Sequence, residues 1–283
     1  MNLTLSGEIG ETLRDAVTRI ASSHRIVPLH EYALRFEAVA DTPEVRAEVA
    51  TQCRAARVDH AFTQDGMKLA DYRVLAMDMD STLITIECID ELADLAGKKP
   101  EVAAITEAAM RGEIADFAES LKRRVALLAG TPAALLERVY KERLKLSPGA
   151  ESLLSAARNA GLATLLVSGG FTFFTDRLRR RIGFDQARAN VIEIDGDHLT
   201  GKVVGDIVDA AGKARAVEDL LAERGTSKEL AIVIGDGAND LAMMAGAGMS
   251  IAYHAKPIVR AATSQAIEFG GLDVLLDWMS PPQ

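Results

Sequence analysis

The 283-residue sequence predicts an α/β protein, with a Rossmann-like parallel sheet core, an inserted helical cap, and a small N-terminal α+β unit of βαββαβ, ferredoxin-like order. Three observations predict this class. After Tyr72, short continuous apolar runs recur, each ending in polar or glycine-rich residues, as strands buried on both faces require. Residues 88–146 instead show helical spacing broken by glycines. Residues 1–70 alternate short strand and helix patterns and carry no catalytic constellation.

The elements follow in order. Leu3-Thr4-Leu5 reads as a first strand, and Ile9, Leu13, Val17 and Ile20 then recur three or four apart, on one helix face. Residues 25–29 and 32–40 read as two further strands. Thr42 and Pro43 open a second helix with Val45, Val49 and Cys53 on one side, and residues 58–63 close the unit as a strand. Small-molecule-sensing regulatory domains use this layout too. The unit therefore reads as a packing or homodimerisation module, or as a ligand sensor in which His30 and Tyr32 could touch the ligand.

In the core unit, 71–283, residues 72–77 end at Asp78, 162–167 at Ser168, and 230–234 at Gly235-Asp236, with shorter runs at 249–252 and 266–269. Ligands of open parallel sheets bind beyond the carboxyl ends of the strands. Three strands thus bring Asp78, Ser168 and Asp236 to one edge. Within 88–146, Gly97, Gly112, Gly130 and the pair Thr131-Pro132 mark off four short helices. Such an insertion directly after the first core strand is placed to act as a lid. Residues 191–203 read as a hairpin turning near Asp195-Gly196.

Composition narrows the function. A net charge of −9 argues against a nucleic-acid coat, which needs a basic surface. No apolar run reaches the roughly 18 residues that a membrane span needs, and the N-terminus lacks a basic leader, so the expectation is a cytoplasmic protein with no membrane partner. Cys53 and Cys88 are too few for a disulfide scaffold.

The chemistry gathers at the strand ends. In an extended backbone Asp78 and Asp80 leave on the same side, and two such carboxylates repel unless a proton or a cation intervenes. Mg²⁺ is the natural neutraliser, with Asp236 as a further ligand. A calcium loop fails at Leu83, where glycine is needed, and at Ile89, where glutamate is needed. Ser168-Gly169-Gly170 reads as a strand-to-helix turn whose N–H groups could meet phosphate, or as a tight turn only. Gly235 and Gly237 flank Asp236, and Asn239 and Asp240 can orient it. In the cap, Arg124 falls near Phe117 at the margin of an apolar face made by Leu121, Val125 and Leu128. An arginine there needs an anion, either a cap carboxylate or a substrate.

The segments 77–87 (MDMDSTLITIE), 165–171 (LLVSGGF) and 233–240 (VIGDGAND), with Lys213, together resemble the haloacid dehalogenase-like phosphatases over about 72–283. The spacing to Glu87 and the segment Leu121-Lys122-Arg123-Arg124-Val125 favour the phosphoserine phosphatase branch. That resemblance implies Mg²⁺-dependent hydrolysis of the small molecule O-phospho-L-serine through an aspartyl-phosphate, the last step of serine synthesis. Asp78 would be the nucleophile and Asp80 the general acid and base. Mg²⁺ would sit on Asp78, the Asp80 backbone carbonyl and Asp236, with Asn239 close by as a substrate contact. Ser168, Gly169 and Lys213 would stabilise phosphoryl charge, Glu87 and Arg124 would hold the substrate ammonium and carboxylate, and Met110 and Phe117 would close over them. The alternatives are a phosphatase or phosphotransferase for another small phosphometabolite, and a non-catalytic amino-acid-sensing regulator. The intact set of Asp78, Asp80, Lys213 and Asp236 argues against the latter.

Overall fold

Residues 1–114 and 116–280 are described by a computed structural model, the side chain of Met110 excepted. Four antiparallel strands form the first sheet: β1 (Asn2–Ser6), β2 (Arg25–His30), β3 (Ala33–Glu37) and β4 (Asp59–Thr63), in the order β2-β3-β1-β4. With α1 (Glu11–Ile20) and α2 (Pro43–Ala56) this is the ferredoxin-like arrangement that the sequence predicts. Thr42 starts α2 by accepting the Val45 N–H at 3.3 Å, and Pro43 occupies the first turn, where its missing N–H costs nothing. Leu13 and Val17 of α1 and Val49 and Cys53 of α2 pack onto Leu3, Leu5 and Phe36 of the sheet.

The second sheet holds β5 (Val74–Asp78), β6 (Ala163–Phe171), β7 (Gln186–Asp195), β8 (His198–Val204), β9 (Ala231–Gly235), β10 (Met249–Tyr253) and β11 (Gln265–Ile267). Its order is β11-β10-β9-β5-β6-β7-β8, parallel except for the β7–β8 hairpin. The chain moves outward from β5 to β8, then returns to the other side of β5 at β9. The strand ends therefore diverge around β5, which opens a crevice there. Every residue of β5 and β9 is buried. Val74 and Ala76 face Val217 and Leu220, while Leu75 and Met77 face the opposite layer with Leu153, Phe174 and Trp278. This two-sided burial is why the runs read as continuous rather than alternating.

Four helices, α3 (Cys88–Leu95), α4 (Lys99–Met110), α5 (Phe117–Ala126) and α6 (Ala134–Arg138), form the insertion. Pro132 does not start the last of them. It bridges His198 in the hairpin, and the helix begins two residues later. The segments entering and leaving the insertion are zipped together: Thr85 N–H donates to Lys145 O at 3.0 Å and Ser147 N–H to Leu83 O at 2.9 Å. These bonds hold the insertion over the end of β5.

The remaining helices are α7 (Ala150–Asn159), α8 (Thr172–Leu178), α9 (Ala210–Glu223), α10 (Leu241–Met244), α11 (Pro257–Ala261) and α12 (Val274–Trp278). The two sheets are joined by buried polar contacts. Arg35 of β3 donates to the carbonyls of Asp277 and Met279 at 2.7 and 2.8 Å, satisfying the C-terminal end of α12. Asp59 of β4 accepts the N–H groups of Glu268, at 2.6 Å, and Gly270, at 2.7 Å. Among the described residues no helix is long and apolar enough to cross a membrane.

Candidate active site

β5 ends at Asp78, and the chain turns within Met79–Leu83, where Asp80 itself keeps extended angles, φ −66° and ψ 135°. Both carboxylates line one cavity, and Met79 between them is fully buried. Ser81 then turns the chain at φ +56°, a conformation that non-glycine residues seldom adopt. Its hydroxyl donates to Glu87 Oε1 at 2.8 Å and its N–H to Ile86 O at 3.2 Å. The strained turn so returns Glu87 to the strand end.

Asp80 is held from two sides. Cys88 N–H donates to Oδ1 at 2.9 Å, and the Ser168 hydroxyl donates to Oδ2 at 3.1 Å. Burial still raises the Asp80 pKa above the usual carboxylate range, against these donors. Ser168 does not lie in a helix-opening turn. β6 continues through Gly170 to Phe171, and its pairing with β7 shifts register between Val167 and Phe171, so the serine and both glycines form a bulge. A Cβ would crowd both places: at 169 it would lie 2.8 Å from Phe117 Cζ, and at 170 it would lie 2.7 Å from Asp80 Oδ2, so either side chain would have to shift.

Lys213 enters from α9, whose first turn is capped by Asp209 through the Gly212 N–H at 2.7 Å. The lysine is 1% exposed, and its Nζ lies 2.7 Å from both Asp78 Oδ1 and Asp240 Oδ1. Burial opposes its charge, but the two carboxylates outweigh that and hold its pKa above the ordinary value. Asp240 Oδ2 accepts the N–H groups of Asp236 and Gly237, at 3.2 and 3.0 Å, which folds the loop after β9 around it. Asp236 in turn accepts the Thr82 hydroxyl at 2.9 Å.

Carboxylate oxygens of Asp78, Asp236 and Asp240 come within 4.8 Å of one another. Three carboxylates thus face one ammonium. Burial, then Asp240, pushes Asp78 well above its ordinary pKa, against Lys213, and the same two causes push Asp236 up to about 6. Hard oxygen donors carrying surplus negative charge suit a small divalent cation. These residues could hold one.

The acids open onto a cavity of about 410 Å³ whose far side belongs to the insertion. Glu87, Phe117, Arg124 and Asn239 all line it. Burial, and then Asp80, pushes the Glu87 pKa up to about 8. Among the described residues no carboxylate lies within ion-pair distance of Arg124, whose Nε reaches only Ser120 O at 3.4 Å. The partner for this arginine is thus not a carboxylate of the insertion. The cavity thus brings together a cation, Arg124, an acid, Glu87, and a lysine-bridged acid cluster.

The sequence pattern of the haloacid dehalogenase-like hydrolases matches residues 75–245. The chain belongs to this family. A phosphoserine phosphatase from Polaromonas sp. is 56% identical over 215 residues, which span 75% of this chain and 91% of that one. Among solved structures, a HAD family hydrolase from Salmonella enterica serovar Typhi superposes over 100% of this chain and 99% of its own, with a TM-score of 0.89 at 32% identity. A phospho-aspartyl intermediate analogue of phosphoserine phosphatase covers 74% of this chain and 99% of its own, with a TM-score of 0.69 at 35% identity.

In this hydrolase the fold brings Asp78, Asp80, Gly169, Lys213, Asp236 and Asn239 to one cavity with Glu87, Phe117 and Arg124, and it buries Ser168 against Asp80. The Met110 side chain lies outside the described residues. Sequence reasoning missed Thr82, which steadies Asp236, and Ser81, which steadies Glu87; their place in the loop after Asp80 was the available signal. It also missed Asn190, which is 1% exposed and donates to Gly169 O at 2.8 Å. An asparagine inside a strand run carries no such signal.

Proposed function

We propose that this enzyme hydrolyses O-phospho-L-serine to L-serine and phosphate in two steps, through an aspartyl-phosphate on Asp78. The observation that carries the substrate is the charge set of the cavity: Arg124, unpaired among the described residues, and Glu87 share it with the acid cluster bridged by Lys213. A phosphorylated amino acid offers a carboxylate to the first, an ammonium to the second and a phosphoryl group to the third.

In the first step Asp78, with Oδ1 held by Lys213, attacks phosphorus through its other oxygen. The bond to the serine oxygen breaks, and Asp80 gives that oxygen its proton. Burial suits Asp80 to hold that proton. In the second step Asp80 takes a proton from water as the water attacks phosphorus, which frees Asp78 and releases phosphate. Lys213, the Ser168 hydroxyl and the Gly169 N–H offset charge on the phosphoryl oxygens. Asn239 lines the same end of the cavity and serves as a substrate contact. Phe117, packed against Gly169, keeps water out from the cap side, and Met110 is assigned the same role.

Mg²⁺ held by Asp78, Asp236 and the Asp80 backbone carbonyl would supply positive charge to the transferring phosphoryl group. The reaction would complete serine synthesis in the cytoplasm, in keeping with two buried, unpaired cysteines. The N-terminal unit, 1–70, is assigned to packing on the core and to homodimer formation. Phosphate release from O-phospho-L-serine and a panel of other phosphomonoesters, with and without Mg²⁺, tests the reading. Metal-dependent turnover that favours phosphoserine supports it, and preference for another ester rejects the substrate.

A further inference from the structure

Asn190 is buried beneath the Ser168-Gly169-Gly170 bulge and uses both ends of its amide. Nδ2 donates to Gly169 O at 2.8 Å, and Oδ1 accepts the Val208 N–H at 2.8 Å. One partner is an acceptor and the other a donor, so the amide orientation is determined. Asparagine satisfies both partners at once. Aspartate would set an oxygen against the Gly169 carbonyl.

The peptide that Asn190 grips leads into the site. Its carbonyl is Gly169 O, and its N–H, that of Gly170, donates to Ser168 Oγ at 2.8 Å. With that lone pair occupied, the Ser168 hydroxyl directs its hydrogen to Asp80 Oδ2 at 3.1 Å. Asn190 is anchored in turn, because Val208 adjoins Asp209, the cap of α9. Three successive hydrogen bonds thus run from a buried strand residue to Asp80. Bonds in such a chain polarise one another.

We infer that Asn190 is a positioning residue: it fixes the 169–170 peptide and so holds the Ser168 hydroxyl in place beside Asp80. The inference rests on the assignment of Asp80 as the proton-transfer group. Asn190 lines no part of the cavity, so its effect falls on kcat rather than on substrate capture.

The test is a double-mutant cycle between Asn190→Asp and Ser168→Ala, with kcat and KM measured well below each variant's melting temperature. Asn190→Asp alone is expected to lower kcat by about 10- to 100-fold, the scale of a small misplacement of a reacting group, with KM within about 3-fold of wild type. In the Ser168→Ala background the same change should lower kcat by less than about 3-fold. If Asn190→Asp does not fold, Asn190→Ser enters the cycle in its place. Equal losses of kcat in both backgrounds, or a loss that follows melting temperature alone, overturn the inference. Wild-type turnover on the ester panel is measured first. Preference for another phosphomonoester moves the cycle to that ester and leaves the inference intact, whereas turnover of none overturns it together with the proposed function.

Discussion

Lys213 Nζ lies 2.7 Å from Asp78 Oδ1 and 2.7 Å from Asp240 Oδ1, so one buried ammonium joins the end of β5 to the loop after β9. Removing one member of a buried ionic group leaves the others uncompensated, at a cost of about 3–5 kcal/mol. Lys213→Met is therefore expected to lower the melting temperature of the metal-free protein and to cut kcat by about 100- to 1000-fold. Because a divalent cation can replace some of the lost charge, Mg²⁺ should raise the melting temperature of the variant more than that of wild type. Calorimetry with and without Mg²⁺ checks this, and an equal rise in both proteins would remove these carboxylates from the metal site.

Asp78 and Asp80 have different surroundings and should fail differently. Asp78→Asn loses the attacking oxygen and should abolish turnover and phosphoenzyme alike. Asp80→Asn keeps the nucleophile but loses proton transfer in both steps, so a slowly formed, slowly hydrolysed phosphoenzyme is expected. Rapid quenching with labelled substrate distinguishes the two, and near-normal turnover by Asp78→Asn would rule out the covalent route.

Arg124 lacks an acidic partner among the described residues and faces the cavity. If it binds the substrate carboxylate, Arg124→Ala should raise KM for phosphoserine by about 10- to 100-fold, the loss of one charge-assisted contact. KM for a phosphomonoester without a carboxylate should change little. Parallel steady-state kinetics on both esters decide it, since equal effects would place the carboxylate elsewhere.

His60 is expected to set an acid limit to stability. Burial lowers its pKa from 6.5 to about 4, although Glu268 pulls the other way. The unfolded chain therefore binds a proton between about pH 6.5 and 4 that the folded chain refuses. The His60 contribution is full above pH 6.5 and is lost as the pH falls toward 4, up to about 3 kcal/mol. Urea midpoints at pH 7 and pH 5 should fall apart in wild type and draw together in His60→Gln. An unchanged gap in the variant would assign the acid sensitivity to other groups.

Local patterns in the chain were sufficient for the element order and for most of the site's members. The runs ending at Asp78, Ser168 and Asp236 marked three strand ends, because a buried parallel strand needs an apolar run and a ligand-facing end needs polar or small residues. Thr42-Pro43 and the glycines of the insertion marked helix ends through backbone conformations that few other residues favour. The pair Gly169-Gly170 was read as a helix start, yet it is a strand bulge, since glycine permits both and only pairing with β7 decides.

The order of residues along the chain determined which chemistry was available: two aspartates at the end of one strand, a third after another strand, and a glycine-rich segment between them. Tertiary structure alone decided who meets whom. Placing β5 between β9 and β6 brings Asp78 beside Asp236 and Asp80 beside Ser168. It also buries Lys213, which on its helix resembles any solvated lysine, and, among the described residues, it leaves Arg124 free of any acidic partner in the insertion. The reason is physical: strand and helix preferences act over a few neighbouring residues, whereas sheet order and the pairing of buried charges depend on groups far apart in the chain, as Asp78 and Lys213 are at a separation of 135 positions.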